Sequence, residues 1–394
     1  MFNVHPVTAR LFPTVIGALL ALVSCSPGSL AGGLPAGPVK IGLLTSLTGI
    51  DLPLGADVQL GAQQAVDEAN AGGGIAGHQV RLLVADDRSA AGQAGSAFGE
   101  LTAAGAAGVV GPLTAAAELA IAPLAARKQL PILSTSGTDQ VTLSGGGLSA
   151  NTFLAVPAAS RAAERMLAYA RSASIAQLAV AHQAGDAFAE SGVGVLTAAA
   201  ARYGVRVVAD EPFDPAATDF KPVLNAIRAS GAKLLVVWGS GTAPPLLERA
   251  WKVSGLGIPI LLSIASCSTA FLRAVSDAGE GALVECSSSV LAGTFPAGSA
   301  VRRQVDKMAT AFQHANGYYP TQAAFDGYAG AKLLLRAIAD AGSTDPSRVA
   351  AALSRLELAT ASGTFKFTSR DHLGLASGWL AIATVREGKL TPTG

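Results

Sequence analysis

The 394-residue chain is poor in charge, cysteine and histidine. Only 14% of its residues are charged and the formal net charge is +1, so it lacks the positive field that a nucleic-acid partner requires. Its three cysteines form no Cys-x-x-Cys. The five histidines, His5, His78, His182, His314 and His372, show no metal-site spacing and read as surface or loop residues. There is no phosphate-binding P-loop, no G-x-S-x-G turn and no kinase signature. Gly72–Gly77 matches G-x-G-x-x-G, but it follows a helix and precedes a strand, the reverse of a dinucleotide site, and reads as a turn. Asp67-Glu68 and Asp86-Asp87 are adjacent in a helix and at a strand end, which points them to different faces as solvated charges instead of an acid/base pair. No catalytic set, metal site or cofactor is therefore expected. Beyond the N-terminus, no apolar run approaches membrane-spanning length.

What is present begins with a targeting segment. Arg10 precedes an apolar run over 11–23, too short to span a bilayer and of the right length for a signal core. The run ends in Leu22-Val23-Ser24-Cys25, which resembles the bacterial lipobox. Residues 1–25 thus read as a lipoprotein signal peptide, with Cys25 the lipidated residue that holds an exported protein to the membrane. The alternative is an ordinary signal peptide with a free or cleaved cysteine. Residues 26–38, rich in Gly, Pro, Ser and Ala, form a tether. Export to an oxidising compartment leaves Cys267 and Cys286 as the single possible disulfide pair.

From Val39 the chain alternates strands and helices, and its 50% hydrophobic content can bury one large or two medium cores. Strands are expected over 39–44, 80–85 and 108–110, with helices over 61–70 and 95–104. A second strand near 131–133 follows a helix; a right-handed crossover makes it parallel to the first and brings both C-termini to one sheet edge, where α/β proteins bind ligands. Two turns lie at that edge. One holds Thr114, which either caps its helix or faces a ligand; the other crowds Ser134, Thr135, Ser136 and Thr138 together. After Pro157 the alternation restarts, giving a second parallel lobe. Long helices over 301–316 and 323–341, another over 346–356, and a hairpin-like piece over 364–368 and 379–385 return the chain between lobes.

The order of these elements, together with Val39–Gly49, Ala65–Asn70, Gly72–Gly77, Asp86-Asp87, Thr218-Asp219-Phe220, Tyr319-Pro320, Phe325–Ala329 and Gly363-Thr364-Phe365, resembles the type I periplasmic binding proteins. More narrowly it resembles the leucine/isoleucine/valine-binding group that serves ABC importers. The resemblance implies an α/β fold of two doubly wound parallel-sheet lobes joined by a three-crossing hinge. The first lobe is expected over 39–157 with about 288–362, the second over 158–287 with about 363–394. It also implies a monomeric clamp for a small molecule that works with a permease and an ATPase.

Family ligand positions fall on Leu54, on Thr114 or Ala115, on Ser136, Gly137 and Thr138, on Phe188 or its neighbour Ala187, on Ser240 or Gly241, and on Ser263 and Ile264. Most of the family's aromatics are missing there, and no acid follows Leu262 to pair with an α-ammonium. Burying an unpaired ammonium costs several kcal/mol, so a carboxylate or an aromatic or apolar compound is expected before an unmodified branched-chain amino acid. Asp186 is the residue that could supply the missing charge from another direction, or a solvent-facing turn residue. The alternative function is a sensory or regulatory binding lobe; an anchored hydrolase lacks its triad.

Overall fold

The computed structural model describes residues 1–3, 33–144 and 147–393; the signal segment, Cys25 and most of the tether lie outside the described residues. The chain begins its body with β1 (Val39–Thr45), α1 (Leu52–Ala71), β2 (Val80–Asp86), α2 (Ala91–Ala103), β3 (Val109–Val110), α3 (Ala115–Lys128) and β4 (Ile132–Ser134). A short hairpin, β5 (Leu143–Ser144) and β6 (Gly147–Leu148), precedes β7 (Thr152–Leu154). The main strands pair in parallel in the order β2-β1-β3-β4-β7. Side chains alternate across this sheet, as strand geometry requires. Ile41 and Leu43 pack with Val58, Ala62, Phe325 and Leu334 on one face, while Leu44 packs with Phe98, Leu101 and Ile121 on the other.

The second lobe repeats the pattern: α4 (Ala159–Ser172), β8 (Gln177–Gln183), α5 (Ala187–Ala200), β9 (Arg206–Phe213), α6 (Lys221–Ser230), β10 (Leu235–Trp238), α7 (Ala243–Ser254), β11 (Ile260–Leu262), α8 (Thr269–Val275) and β12 (Leu283–Ser287). Here β9-β8-β10-β11-β12 are parallel neighbours, the same order of winding as in the first sheet. Leu235 and Val237 face Leu224, Ile227 and Leu247; Val236 and the fully buried Trp238 face Met166, Val193 and Leu196. Burial of each such side chain contributes about 1.5–3 kcal/mol.

The return begins at residue 288. The helices α9 (Ala300–Asn316), α10 (Gln322–Ala341) and α11 (Pro346–Leu353), then β13 (Glu357–Thr360) and β14 (Gly363–Lys366), go back to the first lobe. The chain then crosses once more to β15 (Leu380–Arg386) and β16 (Lys389–Pro392), antiparallel strands that extend the second sheet beyond β12. Crossings at residues 155–158, 288–299 and 376–379 thus join two doubly wound lobes.

Three expectations need correction. The hairpin between 364–368 and 379–385 does not form: β14 pairs with β13, and β15 pairs with β12. The cause is burial, since Phe365, Phe367 and Leu375 sit in the first lobe's core, which therefore extends past residue 362. Helix α1 starts at Leu52, not at 61, with Pro53 in its first turn where the missing N–H costs nothing. Helix α8 was not expected at all; Ser268 caps it by accepting from the Phe271 N–H.

Two glycines set how tightly the first lobe is built. A Cβ on Gly61 would overlap the carbonyl of Ala324, and a Cβ on Gly327 would overlap that of Val58. Helices α1 and α10 therefore cross backbone against backbone, as only glycine allows. In the second lobe a disulfide joins Cys267, just before α8, to Cys286 on β12.

Candidate functional site

Each sheet reverses its winding once, between β1 and β3 in the first lobe and between β8 and β10 in the second. Ligands of open α/β sheets bind beyond the strand C-termini at such switch points. Here the loops that follow β1, β3, β4 and β7, the loops that follow β8 to β11, and the start of α10 together enclose a cleft of about 520 Å³. That volume fits a small organic molecule.

Of the residues singled out from sequence, Leu54, Thr114, Ala115, Ser136, Gly137, Asp186, Phe188, Ser240, Gly241 and Ile264 line this cleft, and so does Ala187. Thr138 and Ser263 do not reach its wall; both are fully buried. The Thr138 hydroxyl has no partner among the described residues, and that of Ser263 donates to the Gly239 carbonyl at 3.4 Å. Thr114 both lines the cleft and caps α3, accepting from the Ala117 N–H at 3.3 Å. Behind the second turn the Ser134 and Ser136 hydroxyls are 2.9 Å apart, and Thr135 Oγ1 donates to the Pro112 carbonyl at 2.9 Å. Both cradle turns are thereby tied together beside the positive end of α3.

Under this cradle lies Glu118, in the second turn of α3. It is fully buried, and among the described residues neither carboxyl oxygen has a hydrogen-bond partner. Desolvation pushes its pKa up to about 8, with the neighbouring Ser134 hydroxyl acting in the opposite direction.

The segment after Leu262 brings no acid to the cleft wall; the acids come from elsewhere. Asp51, Asp57, Asp186 and Asp326 all line the cleft, and among the described residues its wall holds no lysine, arginine or histidine. Asp57 on α1 accepts from Thr321 Oγ1 at 2.6 Å and from the Tyr318 hydroxyl. Asp186 is the N-cap of α5, with one oxygen accepting from the Phe188 and Ala189 N–H groups at 2.9 and 3.0 Å. Its other oxygen accepts from Ser240 Oγ at 3.0 Å and from Gln183 Nε2 at 3.3 Å. Asp51 is raised above the ordinary carboxylate range by burial, then by the charges of Asp87 and Asp186. Burial pushes Asp326 up to about 8, although Gln322 Nε2 donates to its Oδ1 at 2.6 Å.

Sequence reasoning missed Asp51, Asp57, Thr321, Gln322 and Asp326. One signal was available: Asp326 is a lone acid in the apolar stretch 323–331, and such residues are seldom buried without a role. Other charges also behave differently from expectation. Asp87 is buried and accepts from Ser46 Oγ at 2.6 Å. Asp86 is held below its usual range by hydrogen bonds from Thr48 and from the Leu47 and Arg88 N–H groups, which outweigh its slight burial. His372 is no surface residue; it is buried and stacked on Phe153, 4.0 Å between ring centroids. Glu285, also fully buried, lies off the cleft wall, and Arg165 only partly offsets the burial that raises it.

Two lobes, three crossings and a shared cleft at paired switch points are the setting of a small-molecule binding site. The periplasmic binding protein family model matches residues 38–389, and the chain belongs to that family, in its type I form. A Leu/Ile/Val-binding protein homolog 3 from Brucella melitensis is 25% identical over 86% of this chain and 89% of its own. The Leu/Ile/Val-binding protein BraC3 from Rhizobium johnstonii is 27% identical over 89% of this chain and 93% of its own. Two solved structures share the fold. A branched-chain amino acid transporter substrate-binding protein of Streptococcus pneumoniae, in complex with isoleucine, has TM-score 0.76 and 21% identity, covering 90% of this chain and 99% of its own. An ABC transporter solute-binding protein of Rhodopseudomonas palustris, in complex with benzoate, has TM-score 0.74 and 19% identity, covering 91% and 96%.

Proposed function

We propose that the chain is the extracytoplasmic substrate-binding component of an ABC importer, capturing a small organic ligand by closing two lobes over it. The observation that carries this reading is the cleft of about 520 Å³, lined from both lobes at the switch points of both sheets. The relatives named for leucine, isoleucine and valine, and the neighbours bound to isoleucine and to benzoate, support a small, largely apolar ligand. Leu54, Phe188 and Ile264 suit its apolar part. The α3 N-terminus with Ser136 and Gly137 suits a carboxylate or another acceptor at one end. The reason for setting α-amino acids aside was the lack of an acid, and the four aspartates remove it. The chain binds and releases its ligand and transforms nothing. Lipid on Cys25 holds it on the outer side of the membrane, as a monomer, beside its permease and ATPase.

A lobe that senses the same ligand for signalling is the alternative, and the gene's neighbourhood discriminates: a permease and an ATPase encoded alongside would favour import, their absence sensing. The test of the clamp is small-angle scattering. A compound that raises the melting temperature should also reduce the radius of gyration, because contacts to both lobes favour the closed form. An unchanged radius at saturation would refute closure.

A further inference from the structure

We propose that the first lobe carries a second binding site, at the sheet edge opposite the cleft, and that its ligand is a neutral polyhydroxylated molecule of the size of a single sugar. The site is a cavity of about 400 Å³ at the N-terminal ends of β4 and β7, a volume that fits a small organic molecule. Four segments distant in sequence build it: Gln129 just beyond α3, residues 149–151 ahead of β7, the Ser347 and Ala351 face of α11 with Ser354 after it, and the turn that carries His372. Among the described residues its wall holds no aspartate, glutamate, lysine or arginine. His372 is buried, stacked on Phe153, and donates from Nδ1 to the Thr152 carbonyl at 3.0 Å. Desolvation holds it below the ordinary imidazole range, so it is uncharged at neutral pH. An ion entering such a cavity gives up hydration and meets no counter-charge, which disfavours charged ligands.

What the wall offers is a mixture of donors and acceptors. Ser347 Oγ donates to Gln129 Oε1 at 3.4 Å, which leaves the Gln129 NH₂ group open as a donor among the described residues. Asn151 Nδ2 donates to the Ala125 carbonyl at 3.3 Å and leaves Oδ1 as an acceptor; Ser354 Oγ donates to the Ala351 carbonyl at 3.0 Å and leaves its lone pairs. The same bonds hold these groups in place before a ligand arrives, so binding has less side-chain freedom to remove. An ionised carboxylate only accepts and an ammonium only donates, whereas a hydroxyl does both. Ala150, Ala350 and Ala351 add the apolar contact that the C–H faces of a sugar ring need.

Titration of isotope-labelled protein, followed by the NMR shifts of its backbone amides, tests the site with glucose and myo-inositol as neutral probes and gluconate and glucosamine as charged ones. At least one neutral probe should give saturable shifts at Asn151 and Ser354. The charged probes should bind about tenfold more weakly or worse. Ala351→Trp, at an exposed position of the wall, should abolish the shifts by filling the cavity. Gln129 has a left-handed backbone, φ 52°, which asparagine tolerates. Gln129→Asn therefore keeps the turn while drawing the amide back, and should weaken binding about three- to tenfold, the range for one neutral hydrogen bond. No saturable shift with either neutral probe overturns the proposal, and so does tighter binding of a charged probe or unaltered affinity in both variants. Shifts at Thr114 and Ser136 in place of Asn151 and Ser354 would seat the sugar in the cleft and overturn the second site while leaving the first intact.

Discussion

Replacing Glu118 by glutamine exchanges one oxygen for an NH₂ group in a fully buried site, and its effect on stability should depend on pH. Burial lifts this carboxyl from 4.5 to about 8 in the folded protein. Below pH 4.5 both folded and unfolded chains hold the proton, so the raised pKa carries no penalty there. Above that the unfolded chain gives its proton up while the folded one keeps it, and unfolding becomes steadily more favourable until about pH 8. Each unit of pH in that window costs about 1.4 kcal/mol, so the accumulated cost at neutral pH is roughly 3 kcal/mol. Glutamine titrates in neither state. Its unsatisfied amide adds a constant loss of about 1–3 kcal/mol, because among the described residues neither carboxyl oxygen of Glu118 has a partner to pass on to it. Urea unfolding of parent and Glu118→Gln at four pH values between 4.5 and 8 separates the two contributions. The gap between the curves should move in favour of glutamine by about 1.5 M urea over the window, at a denaturant slope near 3 kcal/mol/M. A gap that is the same at every pH would mean that the buried carboxyl is ionised in the folded protein, and the reasoning would be wrong.

Gly61→Ala should destabilise the first lobe by about 1–3 kcal/mol or more, because the new methyl group meets the backbone of α10 and not a movable side chain; a melting temperature equal to the parent's would exclude the close crossing. Substituting Cys267 and Cys286 together by serine removes a link across 19 residues of chain. The expected loss is about 3 kcal/mol in urea unfolding, and since Cys267 lines the cleft, ligand affinity should fall too. Neither change appearing would leave the disulfide without a role. Cys25→Ala should move the protein from the membrane fraction to the soluble extracytoplasmic fraction, since lipid supplies the anchor, and continued membrane association counts against the lipobox reading.

The alternation of apolar strands with helices made both lobes legible, because a parallel sheet covered on two faces needs continuous runs such as Ile41–Leu44 and Leu234–Trp238. The cradle turns were legible for a related reason: hydroxyls crowded between two short strands have few purely structural explanations. What stayed hidden depended on contacts distant in sequence. Asp51 reads as a helix-start residue before Pro53, and only the meeting of the lobes sets it near Asp186. Gly55 and Gly61 obscured the first turns of α1, since glycine disfavours helix unless a close neighbour requires it. Thr138 was a reasonable choice by spacing, yet one residue beyond Gly137 the chain turns inward, and the side chain is buried away from the cleft.

The glycine crossing of α1 with α10 also decides which part of the clamp can yield. Asp57 is carried by one of these helices and Asp326 by the other, and the two helices cannot slide or separate without breaking contacts made backbone to backbone. The first lobe thus acts as a fixed gauge, its acids at a set spacing whatever the ligand. Adaptation to molecules of different length falls to the opposing jaw, where Asp186 and Ser240 stand on loops and Ile264 opens a single 3₁₀ turn, and drift in ligand choice over evolutionary time should be written there first.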